Sequence, residues 1–269
     1  MSTPRDAQTF EDRHHFLLRK LHSLSGIVPI GVFLIEHLLT NSMAWYGGSE
    51  KYNQSVSFIR GLPYLPLLEV FGIFLPIAFH AVYGIKIAMT AQPNVAQYPY
   101  LANRRYLLQR VTGYIAFLFL IVHLGKFRFA HWIGLSDHHF LETPGGAFFE
   151  ATRAGFVGWK PWGLEVATWM VVLFYVVGLW AACYHFANGI WSFCVSWGIT
   201  VGEKAQRRVG IGAAAVGVLL FFWGCMSLYA FASPTPQARV EHETMAVQAA
   251  ESDAAAVRER RIVPDGSRR

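Results

Sequence analysis

Four histidines, His37, His80, His123 and His185, each stand in a separate hydrophobic segment. The first three are spaced 43 residues apart and the fourth follows 62 residues later. An ionisable side chain at membrane depth is costly, so it usually faces the protein interior and carries a task. Neutral imidazole is the commonest metal ligand among side chains. Two of them on one haem iron fill both axial positions, which suits electron transfer rather than oxygen chemistry. One histidine on each of four helices could grip two flat cofactors edge-on between helices. A lone membrane histidine is often just a polar residue bonded across a bundle; four, one per segment, point to haem.

The chain has the composition of a membrane protein: 269 residues, 54% hydrophobic, 15% aromatic and only 15% charged. A span takes about 20 apolar residues, and five stretches qualify, near 21–45, 64–91, 106–130, 164–192 and 209–232. The expected fold is therefore an all-α integral membrane bundle of five helices. Pro29 and Pro76 fall inside the first two and are expected to kink them. Residues 1–20 form a polar N-terminal segment without the apolar run of a secretory signal. Residues 233–269, rich in Ala, Arg and Glu, read as a disordered tail or a short surface helix. The net charge of +6 is dispersed into loops and tails, which argues against a nucleic-acid partner. Cys183, Cys194 and Cys225 show no paired spacing and read as small packing residues.

Lys and Arg in the short flanks orient the helices. Arg13, Arg19 and Lys20 precede the first segment, Arg104, Arg105 and Arg110 separate the second and third, and Lys204, Arg207 and Arg208 separate the fourth and fifth. The other connections carry Lys51 and Arg60, then Lys126, Arg128, Arg153 and Lys160. This favours a cytoplasmic N-terminus in the inner membrane. His37 and His123 then lie late in outward-running segments, and His80 and His185 late in inward-running ones. From Lys20 to His37, and from Arg110 to His123, the helix rises about 20–25 Å. Matching depth pairs His37 with His123 and His80 with His185, two haems stacked across the bilayer in a membrane cytochrome b.

Haem propionates need cationic or hydrogen-bonding partners. On the cytoplasmic side Arg19, Lys20, His22, Ser23, Gln109 and Arg110 are candidates, with Lys86 a weaker one. Gly84, Gly113, Gly178 and Gly189 would let a flat macrocycle approach the backbone. A quinone needs protons and hydrogen bonds at its oxygens, and Glu36, Asn41, Glu50, Asn53 and Glu69 are candidates toward the outer side. The remaining histidines, His14, His15, His131, His138, His139 and His242, fall in loops or tails.

The stretches RKLHSLSGIVPIGVFLIEHL, LPIAFHAVYGIKIAMTAQPNVAQYPY, LLQRVTGYIAFLFLIVHL and CYHFANGIWSFCVSWGIT carry a family likeness. From about Arg19 to Arg208 the chain resembles the cytochrome b membrane anchor of succinate:quinone oxidoreductases. The type is the single-chain, five-helix, two-haem form, to which fumarate reductase anchors are related. The resemblance implies two b-type haems, His80 with His185 proximal to the soluble subunits and His37 with His123 distal. It further implies a flavoprotein and an iron–sulfur subunit as cytoplasmic partners, and a membrane quinone, menaquinone or ubiquinone, as electron acceptor.

Departures from the family pattern are a long 125–162 connection, the 233–269 extension, and Cys183 where some relatives carry a glutamate. Rival readings are a dihaem anchor of a nitrate reductase or hydrogenase, and a haem-free transporter using histidines as a proton relay.

Overall fold

Long apolar runs become helices because lipid offers a backbone no hydrogen-bond partner, so each carbonyl and amide must be satisfied within its own segment. A computed structural model describes residues 10–91, 95–135 and 143–233. The expected tail beyond Ser233, together with His138, His139 and His242, lies outside the described residues. The elements are α1 (Phe10–Ile27), α2 (Pro29–Arg60), α3 (Leu65–Thr90), α4 (Leu101–Phe127), α5 (Phe148–Ala154), α6 (Thr168–Ser196) and α7 (Glu203–Ala232). The described residues include five helical stretches long and apolar enough to cross a membrane, α1 running into α2 as the first. Large apolar side chains such as Val82, Leu118, Leu219 and Phe222 are exposed on their outer faces, as suits contact with acyl chains.

Both prolines act at the backbone. Pro29 opens α2 directly after Val28. Pro76 offers no N–H to the carbonyl four residues earlier, and the turn before it widens into a π-helix, Leu68–Phe74, with the Leu75 N–H reaching back to the Val70 carbonyl. Helix α2 runs well past the expected end near residue 45. It breaks at Gly47 and Gly48, the latter at φ 63° and ψ −157°, a conformation open to glycine, and resumes to Arg60. The resumed stretch is helical because it has a face to bury: Tyr52 and Val56 pack with Phe148, Phe149, Phe156, Tyr175 and Phe231. Asn53 Oδ1 accepts the Phe149 N–H at 2.8 Å and caps α5.

Two antiparallel seams position the site. Along α4 and α6, Gly113 lies against His185, Phe119 against Gly178, and His123 against Tyr175, a constant register. The second seam joins α7 to the rest. Its buried residues, Gly210, Ala213, Gly217, Leu220, Gly224, Ser227 and Phe231, recur at alternating three- and four-residue steps, the spacing of a helix–helix seam lined by small residues. A Cβ at Gly217 would stand 2.7 Å from the Ala187 Cβ, and one at Gly224 would stand 2.6 Å from Leu179. Gly217→Leu is expected to cost about 1–3 kcal/mol by overpacking, whereas Gly212→Leu, with open space around its Cα, should be neutral. Thermal unfolding of the two variants in detergent checks the contrast.

Candidate functional site

At the Arg105 end of the bundle, the rings of His80 (α3) and His185 (α6) stand 6.1 Å apart, centroid to centroid, at 85° to one another. Nearer the Arg128 end, His37 (α2) and His123 (α4) stand 5.7 Å apart, also at 85°. Two imidazoles bound to one metal at about 2.0–2.1 Å each have ring centroids roughly 6 Å apart. Both pairs fit that spacing. Gly113, level with His185, and His123 are ten residues apart on α4, so the two levels are separated by about 15 Å along the helix.

Both rings of the first pair are oriented through Nδ1. His80 Nδ1 lies 2.9 Å from the His22 carbonyl and 3.3 Å from Ser25 Oγ. His185 Nδ1 lies 3.0 Å from the Gln109 carbonyl. A carbonyl only accepts, so Nδ1 carries the proton and Nε2 keeps its lone pair for a metal. The glycine four residues beyond each carbonyl makes room for the ring. A Cβ at Gly26 would fall 2.6 Å from His80 Cε1, and one at Gly113 would fall 3.0 Å from His185 Cε1. In the second pair His123 Nδ1 meets the Tyr175 hydroxyl at 3.3 Å, and Phe119 stacks on the His123 ring.

The expected propionate partners fall into different settings. Gln109 is committed elsewhere: its Nε2 donates to the His185 carbonyl at 3.1 Å and its Oε1 accepts from Asn188 at 2.8 Å. His22 stacks on His80 at 4.1 Å with its Nε2 turned toward Gly84. Lys20 donates to the Ser196 carbonyl and lies over the Trp197 ring. Arg19 is exposed and Ser23 half-buried. Arg110 packs over Tyr106 at 3.7 Å and keeps two buried nitrogens, Nε and Nη2, without hydrogen-bond partners among the described residues. Gly84, Gly113 and Gly178, expected to admit a macrocycle, instead seat His22, His185 and Phe119. Each ring fills the space a Cβ would take.

The quinone candidates are also engaged. Glu36 accepts from Thr40 at 2.7 Å, Asn41 donates to the His37 carbonyl at 2.7 Å, and Glu50 accepts from Gln54 at 3.0 Å. Glu69 pairs with Arg128 at 2.9 Å. Residues missed from sequence are Ser25, Tyr175, Asn188 and Lys126. For Ser25, Asn188 and Lys126 the signal is polarity three residues from a histidine; Tyr175, ten residues from His185, meets His123 only through the fold. Lys126, expected in a loop, lies in the last turn of α4 and is buried.

Five candidate spans with imidazoles meeting in pairs between them define a multi-pass helical membrane protein built around inward-facing histidines. No protein-family model matches the chain. It is 37% identical over 216 residues to the succinate dehydrogenase cytochrome b558 subunit of Bacillus subtilis (strain 168), a match covering 80% of this chain and 96% of that protein. The chain belongs to this family of succinate dehydrogenase cytochrome b subunits.

Gly113→Val would displace the His185 ring and its bond to the Gln109 carbonyl. The expected loss is about 1–3 kcal/mol from overpacking, with about 0.5–1.5 kcal/mol more for the bond. A fall in melting temperature beside an unchanged Gly212→Val control checks it.

Proposed function

We propose that this chain is the electron-relaying membrane anchor of a succinate:quinone oxidoreductase, holding two bis-histidine b-type haems. His80 and His185 would hold one and His37 and His123 the other. The single observation that supports this reading is the separation of the two ring pairs, 6.1 and 5.7 Å, each a distance that one metal could span. When bound, haem supplies a one-electron carrier at each level.

The residues of the chain supply the rest. The His22 and Gln109 carbonyls hold the protons of His80 and His185 on Nδ1 and leave Nε2 bare. Arg110, with buried unpartnered nitrogens one residue from Gln109, is the candidate for a propionate at the first level. The basic flanks support an N-terminus on the cytoplasmic side of the inner membrane. On that reading the Arg105 end faces an iron–sulfur subunit fed by a flavoprotein, and electrons leave through the second level to a membrane quinone. The relative's name, a cytochrome b subunit of succinate dehydrogenase, supports both the haem and the assembly.

A reduced-minus-oxidised visible spectrum of the purified complex, with haem quantified per chain, tests this. Two low-spin b-type haems per chain are expected, falling to one in His37→Ala and to one in His80→Ala, with succinate-to-quinone electron transfer lost in both. A wild-type complex without haem sinks the reading.

A further inference from the structure

Lys126 lies three residues beyond His123 on α4, so the two side chains are neighbours on one face of the helix. It is 6% exposed, and its Nζ has no hydrogen-bond partner among the described residues. The rings of Phe127, Phe156, Trp159 and Tyr175 surround that nitrogen, their centroids 4.4–5.4 Å away. Tyr175 touches both groups: its ring faces Nζ at 4.8 Å, and its hydroxyl meets His123 Nδ1 at 3.3 Å.

Aromatic faces attract a cation but leave its three N–H groups without true acceptors. A charge taken out of water on those terms is costly, and buried charges are found paired. The nearby Arg128 shows the contrast, since it has Glu69 at 2.9 Å. Among the described residues Lys126 has no such carboxylate. A cation buried beside a histidine pair, lacking an anion from its own chain, is suited to an anion that arrives with the ligand.

We propose, resting on the dihaem reading above, that Lys126 binds a propionate carboxylate of the haem held by His37 and His123. The ammonium is a point donor, and a carboxylate supplies the acceptor its cage lacks. Its positive charge favours the reduced, less positive iron at that level.

The test is a potentiometric haem titration of the assembled complex at pH 8, with haem counted per chain, in wild type, Lys126→Met and Lys126→Arg. All three are expected to hold two haems. In Lys126→Met one of the two potentials should fall by about 59 mV, a tenfold shift of a one-electron equilibrium. The other should stay, and Lys126→Arg should match wild type. Two haems at unmoved potentials in Lys126→Met overturn the proposal and leave the dihaem reading standing. A raised KM for quinone with both potentials unmoved also overturns it, placing the ammonium on a quinone oxygen. Should Lys126→Met lose one haem, Lys126→Arg decides. Retention there supports charge pairing, and loss in both variants assigns Lys126 to packing and overturns the proposal. Fewer than two haems per wild-type chain overturns the dihaem reading and this proposal with it.

Discussion

A polar group in lipid has only the protein to bond with, and that constraint organises this molecule. Three buried hydroxyls turn back onto their own helices: Ser42 to the Leu39 carbonyl, Thr112 to Leu108, and Ser227 to Trp223. Larger polar groups bond across helices instead, and they do so beside the histidines. Gln109, Asn188 and His185 form one network between α4 and α6, and His22, Ser25 and His80 form another between α1 and α3. Unsatisfied buried cations then stand out. Arg110 lies one residue from Gln109 and Lys126 three residues from His123, where a carboxylate-bearing cofactor would complete the accounting.

Helices α4 and α6 hold both levels in relation to one another. Each contributes to both: α4 gives the Gln109 carbonyl and Gly113 to the first and His123 to the second, while α6 gives His185 to the first and Tyr175 to the second. Ten residues separate the levels on each helix, so a straight antiparallel pair fixes their spacing at about 15 Å. The other histidines come from α2 and α3, which meet this pair from outside. Helix α7 brings no histidine and locks its small-residue seam against α6, covering the pair's remaining face.

Much of this arrangement was legible in the sequence, because lipid enforces length and polarity so strictly. The five spans follow from apolar run length alone. Among the four mid-span histidines the ring neighbours are the ones that matching depth singles out, while His22, stacked on His80 at 4.1 Å, was not expected there. The helical stretch after Gly48 was not legible, because its burial depends on Phe149 and Phe231, far along the chain. Lys126 followed a flank rule that counts charges without knowing where a helix ends; the final turn of α4 carries it into an aromatic cage. Gln109 reads as a cofactor contact in sequence; its amide bonds across the helices on both sides and keeps one N–H and one lone pair in reserve.

The glycines show why local motifs surround the histidines. In an α-helix the side chain at i+4 stands beside the carbonyl of residue i, whose second lone pair is otherwise open. Glycine at i+4 uncovers that lone pair to a neighbouring helix. The chain does this twice, with His22 and Gly26 receiving His80, and with Gln109 and Gly113 receiving His185. In each case the imidazole enters the gap left by the missing Cβ and gives its Nδ1 proton to the uncovered carbonyl. That bond sets the tautomer, leaves the Nε2 lone pair free and would make the imidazole a stronger donor to a metal. His123 instead meets a phenol, which can either donate or accept, so this contact leaves its tautomer open. Helix packing therefore sets the hydrogen bonding of the first pair, whereas the second retains a freedom that a cofactor, if held there, would have to remove.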